Sequence, residues 1–102
     1  MRLLTAAATG TTGNAFNYKG SISKKYPVDR QINIYGTFSG GTIVTLQAAD
    51  SDQETPDSGD WYDVPGFDSV TAETHEILRL RSSHVRAKVT SGSSDSIDVS
   101  IV

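Results

Sequence analysis

The chain of 102 residues has no cysteine and no long run of apolar residues. Without cysteine, disulfide bonds and thiolate metal ligands are excluded, and the lack of disulfides in so small a domain favours assembly inside the cell. Met1–Gly13 contains only a two-leucine apolar patch, which is too short for a secretory signal, and no segment reaches the about 18 apolar residues of a membrane-spanning helix. The sequence therefore predicts one soluble domain that is made in the cytoplasm and has no membrane partner.

Basic residues are missing from the middle of the chain. Residues 48–76 hold nine acids and no base, whereas residues 1–47 hold five bases and one acid and residues 77–102 hold four bases and two acids. Two interpretations are open: the acids collect in solvated loops, or complementary patches dock copies of the chain to each other or to a partner. The sequence pI near 5.1 argues against direct binding to the phosphates of nucleic acid.

Amphipathic helices are also missing, because no segment repeats its apolar residues every 3.6 positions. Apolar and polar residues alternate instead in seven short segments, which are residues 14–22, 29–38, 41–49, 60–64, 69–81, 84–90 and 96–102. The last two flank Thr90–Asp95, a Gly- and Ser-rich connection that predicts a hairpin. For residues 69–81, a single helical turn is an alternative. These segments predict an all-β fold, a single antiparallel β-sandwich or small barrel of about seven short strands over residues 14–102.

Residues 1–13 do not share this alternation, because Thr5–Asn14 has too little apolar content to pack as a strand. We interpret residues 1–13 as an extended N-terminal arm, with a disordered end as the alternative. In the first interpretation the arm becomes ordered on a neighbouring subunit, and Leu3 and Leu4 are its anchors.

Two groups of basic residues are further candidates for contact with a partner. Lys24 and Lys25 lie in a basic turn, where they either protect an edge strand or contact an acidic partner. Arg79 and Arg81 belong to one predicted strand, and two further bases lie on the next, predicted to be its neighbour. We expect these cations to meet the acidic loop of the same or an adjacent subunit, since the aromatic residues that would stack nucleic-acid bases lie in other segments.

No arrangement of residues typical of catalysis or metal binding emerges. The acidic loop Asp50–Trp61 has oxygen side chains at alternating positions, but an EF-hand needs glycine sixth and glutamate twelfth, where this loop has Thr55 and Trp61. His75 and His84 alone do not make a zinc site, and we interpret them as surface residues. We therefore predict no cofactor, no metal and no enzymatic activity. The loop is interpreted as a solvated connection, with an incidental calcium site as the alternative. Trp61 is interpreted as a core residue, with an interface or sugar platform as the alternative.

Four stretches resemble small β-sandwich proteins found in the virions of tailed bacteriophages. They are GTFSGGTIVTLQAADS (Gly36–Ser51), WYDV (Trp61–Val64), LRLRSSHVRAKVTSG (Leu78–Gly92) and SIDVSIV (Ser96–Val102). Members of that family have a glycine-bounded TVTLQ strand, a DG-x-x-W turn and a VR…V-T-G hairpin. This chain matches at its IVTLQ strand, its tryptophan and its VRAKVTSG segment, but it has SGD directly before the tryptophan and a longer loop.

The resemblance implies a non-enzymatic virion component. It points first to capsid decoration or cement proteins, which implies a location at the capsid surface, contact with the major capsid protein and a homo-oligomer, with a trimer favoured. The resemblance also includes tail and fibre proteins, so a receptor- or glycan-binding module of the tail is the alternative. A carbohydrate-binding or calcium-dependent module of a cellular protein is a third hypothesis.

Overall fold

A computed structural model describes residues 2–7, 12–13, 15–17, 28–38, 41–50, 55–80, 82–91 and 96–102. Within these ranges the chain forms eight strands and one turn of 3-10 helix, and it has no α-helix there. The elements are β1 (Arg2–Ala7), β2 (Phe16–Asn17), β3 (Val28–Thr37), β4 (Ile43–Ala49), η1 (Ser58–Asp60), β5 (Trp61–Asp63), β6 (Thr74–Leu80), β7 (His84–Ser91) and β8 (Ser96–Ile101). The all-β prediction is confirmed.

The strands form two four-stranded sheets that enclose one core. The first sheet has the order β1-β8-β3-β6 and the second has the order β2-β7-β4-β5. All of the pairings within them are antiparallel. The architecture is therefore a β-sandwich, in which each sheet buries the apolar side chains of one face against the other sheet.

Alternation along the strands builds the core, as the sequence predicts. In β8, Ile97, Val99 and Ile101 are buried and the residues between them are more exposed. In β3, Ile32 and Ile34 are buried in the same way. The core cluster consists of Leu3, Leu4, Ile32, Ile34, Val44, Leu46, Phe67, Val70, Leu78, Val85, Ala87, Val89, Ile97, Val99 and Ile101. Both sheets contribute to it, so neither sheet can be removed without exposing the apolar face of the other.

The first strand corrects the prediction of a free arm. β1 pairs with β8, and Leu4 lies opposite Val99. Leu3 is only 2% exposed and Leu4 only 4% exposed. A register shift between Arg2 and Leu4 breaks the in–out alternation, which allows neighbouring leucines to be buried together. The prediction that residues 1–13 stay outside the sandwich is therefore wrong for Arg2–Ala7, because the two leucines supply the apolar area that the rest of the segment lacks.

The connection Thr90–Asp95 does not form the predicted hairpin. β7 lies in the second sheet and pairs with β2 and β4, whereas β8 lies in the first sheet and pairs with β1 and β3. The chain thus crosses from one sheet to the other between these strands. For the same reason β6 and β7, which carry Arg79 and Arg86, are not neighbours in one sheet. Sequence alternation indicates which face of a strand is buried but not which strand lies beside it.

Two glycines permit close approaches of the backbone. A Cβ added at Gly13 would lie 1.8 Å from the carbonyl oxygen of Leu3, so this residue allows β1 to pack against the segment that precedes β2. Gly36 has φ of 128°, and a Cβ there would lie 2.1 Å from the carbonyl oxygen of Ser96. Gly13 in particular closes one lateral side of the sandwich.

Candidate functional site: the two sides of strand β5

Strand β5 lies at the edge of the second sheet and presents side chains on both of its sides. It pairs with β4 so that Trp61 lies opposite Ala49, and Tyr62 opposite Ala48. Ala48 points into the core, and residues paired across two strands share a face of the sheet. Tyr62 and Val64 therefore point toward the first sheet, while Trp61 and Asp63 point outward. Alternation in residues 60–64 alone allows either Trp61 and Asp63 or Tyr62 and Val64 to face inward, and the pairing with β4 selects the second set.

A row of polar side chains crosses the outer face of the second sheet. In the register of the sheet, Gln47 of β4 lies between Asp63 of β5 and Arg86 of β7. The Nε2 of Gln47 donates to Asp63 Oδ1 at 2.9 Å, and its Oε1 accepts a hydrogen bond from Arg86 Nε at 3.0 Å. Gln47 is buried, so an amide with both ends paired avoids the cost of an unsatisfied polar group. The row fixes the position of the Arg86 side chain.

Arg86 in turn stacks on Trp61. The guanidinium carbon lies 4.1 Å from the centroid of the Trp61 ring, a distance typical of a cation–π contact. Burial lowers the pKa of the Arg86 guanidinium from its ordinary value, because desolvation disfavours the charged form. We call Gln47, Trp61, Asp63 and Arg86 the Trp61 face. Trp61 lies half-buried on this outer surface, so its interpretation as a core residue is wrong.

Buried polar residues support the Trp61 face at the start of β7. Ser83 Oγ donates to the carbonyl oxygen of Ala49 at 3.1 Å and lies 2.7 Å from His84 Nδ1. The contact with Ser83 holds the His84 ring in one orientation, and the imidazole tautomer sets which atom donates. The His84 ring meets Trp61 edge-on, with 6.4 Å between ring centroids. His84 is fully buried, so its interpretation as a surface residue is wrong.

On its inner side, β5 borders a hollow between the edges of the two sheets. The hollow has a volume of about 130 Å³ and is lined by Ala48, Tyr62, Val64, Pro65, Leu78, Arg79 and Ser82. The Tyr62 hydroxyl makes a hydrogen bond with Ser82 Oγ, and Tyr62 is still 48% exposed. The hollow is therefore mostly apolar, with a hydroxyl pair and Arg79 among its lining residues. It is too small to enclose a drug-sized ligand.

The outer face of the first sheet carries a second polar network, around His75 of β6. His75 Nδ1 lies 2.8 Å from Asn33 Oδ1, and His75 Nε2 lies 3.1 Å from Glu73 Oε2. The ring also stacks on Tyr35, with 6.4 Å between centroids and 18° between the planes. Unlike His84, His75 is exposed, as the sequence predicts. The two histidines thus lie on different sheets and serve different networks.

The acidic loop falls only partly within the described residues, which include Asp50 and residues 55–60. There the carboxylate of Asp60 accepts the backbone N–H of Asp57 at 3.1 Å, so this acid is used to shape η1. Among the residues that the structure describes, no group of three or more His, Asp or Glu side chains comes together to hold a metal ion. The incidental calcium site stays untested, since residues 51–54 lie outside the described ranges.

The predicted contact residues lie in different places. Leu3 and Leu4 are core residues of their own chain, so they are not available as anchors on a neighbouring subunit. Arg79 is exposed on β6, opposite Asp29 in the register. The remaining predicted contact residues, Lys24, Lys25 and Arg81, lie outside the described residues. Sequence reasoning missed Gln47, because its role depends on having Asp63 and Arg86 on its two neighbouring strands.

No family model matches the chain, and no curated protein sequence or solved structure matches it either. The resemblance to phage virion proteins therefore stays a prediction. The described part of the chain contains no helix with the length and hydrophobicity needed to cross a membrane.

Proposed function

We propose that this chain is a non-enzymatic structural protein of a bacteriophage virion, a capsid decoration protein that binds and stabilises the shell of the major capsid protein. The observation that carries the proposal is the Trp61 face, on which Asp63, Gln47 and Arg86 hold one another by hydrogen bonds and Arg86 stacks on Trp61. Tryptophan and arginine are the residues most enriched among those that dominate the binding energy of protein interfaces. Their side chains are held in place here before a partner arrives, which reduces the entropy lost on binding.

The surface is also suited to a protein partner by its shape. The Trp61 face spans three adjacent strands of one sheet, and its Asp63 is exposed while Trp61 and Arg86 are half-buried. A broad surface of this kind fits another folded protein, because specific protein interfaces bury far more area than a small ligand offers. In this proposal the chain sits on the outside of the capsid as a homo-oligomer, with a trimer favoured by the resemblance.

Capsid binding is the direct test. Purified chain is added to capsids of the source phage that lack it, and binding is measured by co-sedimentation together with the temperature at which the capsids rupture. We expect wild-type chain to bind and to raise the rupture temperature. We expect Trp61→Ala to weaken binding by roughly thirty-fold or more, the effect of losing an interface hot spot. Val102→Ala truncates an exposed apolar side chain at the end of β8, away from the Trp61 face, and is the matched control that should bind as wild type does.

The outcomes separate the parts of the proposal. Wild-type chain that does not bind capsids would overturn the decoration function. Binding that is unchanged in folded Trp61→Ala would keep that function and move the contact elsewhere, for example to Lys24 and Lys25.

A glycan-binding module of the phage tail or fibre is the second candidate. The observation that favours it is Tyr62, which is half-exposed at the rim of a hollow beside Ser82 and Arg79, a combination of ring, hydroxyl and guanidinium suited to a sugar. It predicts that the chain is located on tails in particles and binds a glycan array, and that Tyr62→Ala abolishes this binding. Capsid location with no glycan binding would exclude it.

A further inference from the structure

Strand β6 is a regular strand at the edge of the first sheet. Its seven residues pair with β3 in an unbroken register from Val28 opposite Leu80 to Ile34 opposite Thr74. The other edge strands are irregular or short: β1 has two register shifts, β2 has two residues and β5 has three. Since a long and regular edge is a template for pairing with a further strand, β6 is the edge in the described part of the chain that fits another strand best.

The direction of the peptide groups follows from one hydrogen bond. Val102 donates its N–H to the carbonyl oxygen of Gln31 at 2.9 Å, so Gln31 directs its peptide groups toward β8. Successive residues of a strand direct these groups to opposite sides, so Ile32 directs its own toward β6 and its partner Glu76 directs its groups back toward β3. The next residue of β6, Ile77, therefore directs its N–H and C=O away from β3.

The side chains along the β6 edge are ordered so that two antiparallel copies have complementary charges. Ile77, at the middle of the strand, points outward and is 62% exposed. On the same outward face, Glu73 lies directly before β6 and Arg79 follows Ile77, whereas Glu76 lies on the opposite face. An antiparallel pairing of two such strands brings Glu73 of each copy near Arg79 of the other, whereas a parallel pairing would place like charges together. Charges of one sign would protect an edge from pairing, but this arrangement favours one orientation.

We propose that two copies of this chain pair through β6, antiparallel and related by a two-fold axis at Ile77. Ile77 then lies opposite Ile77 of the second copy, and His75 lies opposite Arg79 of the second copy. On the same face, Glu73 is a diagonal neighbour of that Arg79, within reach of two long side chains. The two first sheets become one continuous sheet of eight strands. This contact joins copies in pairs, so it is separate from a threefold contact and does not depend on the capsid function.

A charge exchange tests both the contact and its register. Sedimentation velocity of the full chain over a wide range of concentration should show a monomer–dimer equilibrium. Glu73→Arg and Arg79→Glu should each weaken the dimer by about tenfold, because the two-fold axis makes every altered contact occur twice. The double variant should recover wild-type affinity, since opposite charges meet again. Asp68→Arg, an exposed charge reversal away from β6, is the control and should dimerise as wild type does.

A cysteine cross-link gives an independent readout. The chain has no cysteine, so Ile77→Cys introduces a single thiol at the axis. Ile77 and its partner form a hydrogen-bonded antiparallel pair, whose Cα atoms lie about 5.5 Å apart, within the range that a disulfide spans. Under a mild oxidant, Ile77→Cys should form covalent dimers much faster than Thr5→Cys, which places an exposed thiol on the opposite edge strand of the same sheet.

Each result decides the proposal. It is overturned if wild-type chain stays monomeric at every concentration, if the double charge variant dimerises no better than the single variants, or if Ile77→Cys cross-links no faster than Thr5→Cys. Circular dichroism shows whether each variant is folded. If Arg79→Glu is unfolded, Glu73→Arg and the cross-link decide.

Discussion

The two lateral sides of the sandwich are built differently. On the side of β1 and β2, Gly13 lets the backbone pack directly against Leu3, and the leucines of β1 fill the core. On the side of β5 and β6, side chains separate the two sheets, and a hollow remains beside the half-exposed Tyr62. We call these the closed side and the open side. The closed side therefore contributes stability, whereas both proposed contact surfaces include an edge strand of the open side.

The largest effect is expected from truncating a leucine on the closed side. Leu4→Ala should lower the free energy of unfolding by about 2–5 kcal/mol, because it leaves a cavity in the core beside Val99. Urea unfolding followed by circular dichroism measures the loss. Thr5→Ala, at the exposed neighbouring position, is the control and should change stability by less than about 0.5 kcal/mol. Equal effects of the two variants would contradict the packing of β1 in the core.

Adding a single methyl group on the closed side should also destabilise the fold. Gly13→Ala should cost about 1–3 kcal/mol of unfolding free energy, since its Cβ would clash with the backbone carbonyl of Leu3 and the strands would have to separate. Gly59→Ala is the matched control, because a Cβ there meets no atom within 4 Å. Thermal melting of both variants makes the measurement. A melting temperature of Gly13→Ala equal to that of Gly59→Ala would show that this side is not tightly closed.

On the open side, Gln47 of the Trp61 face should contribute more to stability than Gln31, a glutamine in an exposed network. Gln47→Met should cost about 1–3 kcal/mol, because it removes the hydrogen-bond acceptor of the partly buried Arg86 Nε. Gln31→Met makes the same change at an exposed position of β3 and should cost less than about 0.5 kcal/mol. Chemical denaturation of both variants compares them. A larger loss for Gln31→Met would mean that the row is not structural.

The smallest effect is expected at the hollow. Tyr62→Phe should cost about 0.5–1.5 kcal/mol, since it removes the hydroxyl partner of the buried Ser82. Ser82→Ala and the double variant complete a cycle that isolates the interaction between the two hydroxyl groups. If the effects of the single variants simply add, the hydroxyl pair makes no contribution of its own.

Much of the fold could be predicted from the sequence, because period-two alternation marks the buried face of each strand. Ile97, Val99 and Ile101 show this most clearly. The neighbours of each strand could not be predicted, which is why the expected hairpin at Thr90–Asp95 is wrong: a connection of this length can close a hairpin or cross between sheets. β1 could not be predicted either, because its burial depends on two adjacent leucines and an interrupted register, which no alternation reveals.

Less of the candidate site could be predicted. Trp61 stood out as the single tryptophan, but its side of the sheet depends on the pairing of β5 with β4. Gln47 and Arg86 are unremarkable in the sequence and gain their role only because the register places them side by side. Charge segregation along the chain is the useful signal for β6, since Glu73 comes directly before this edge strand and Arg79 lies near its end.

The pairing of Leu4 with Val99 has a consequence for how the protein acquires its structure. These partners are separated by almost the whole chain, so the first sheet cannot be completed while a ribosome is still synthesising the stretch between them. Closing so long a loop costs entropy before any contact compensates for it, and topologies rich in distant pairings fold slowly. Until Val99 emerges, the apolar residues of β3 lack one neighbouring strand, and that interval is when a nascent chain is most exposed to aggregation.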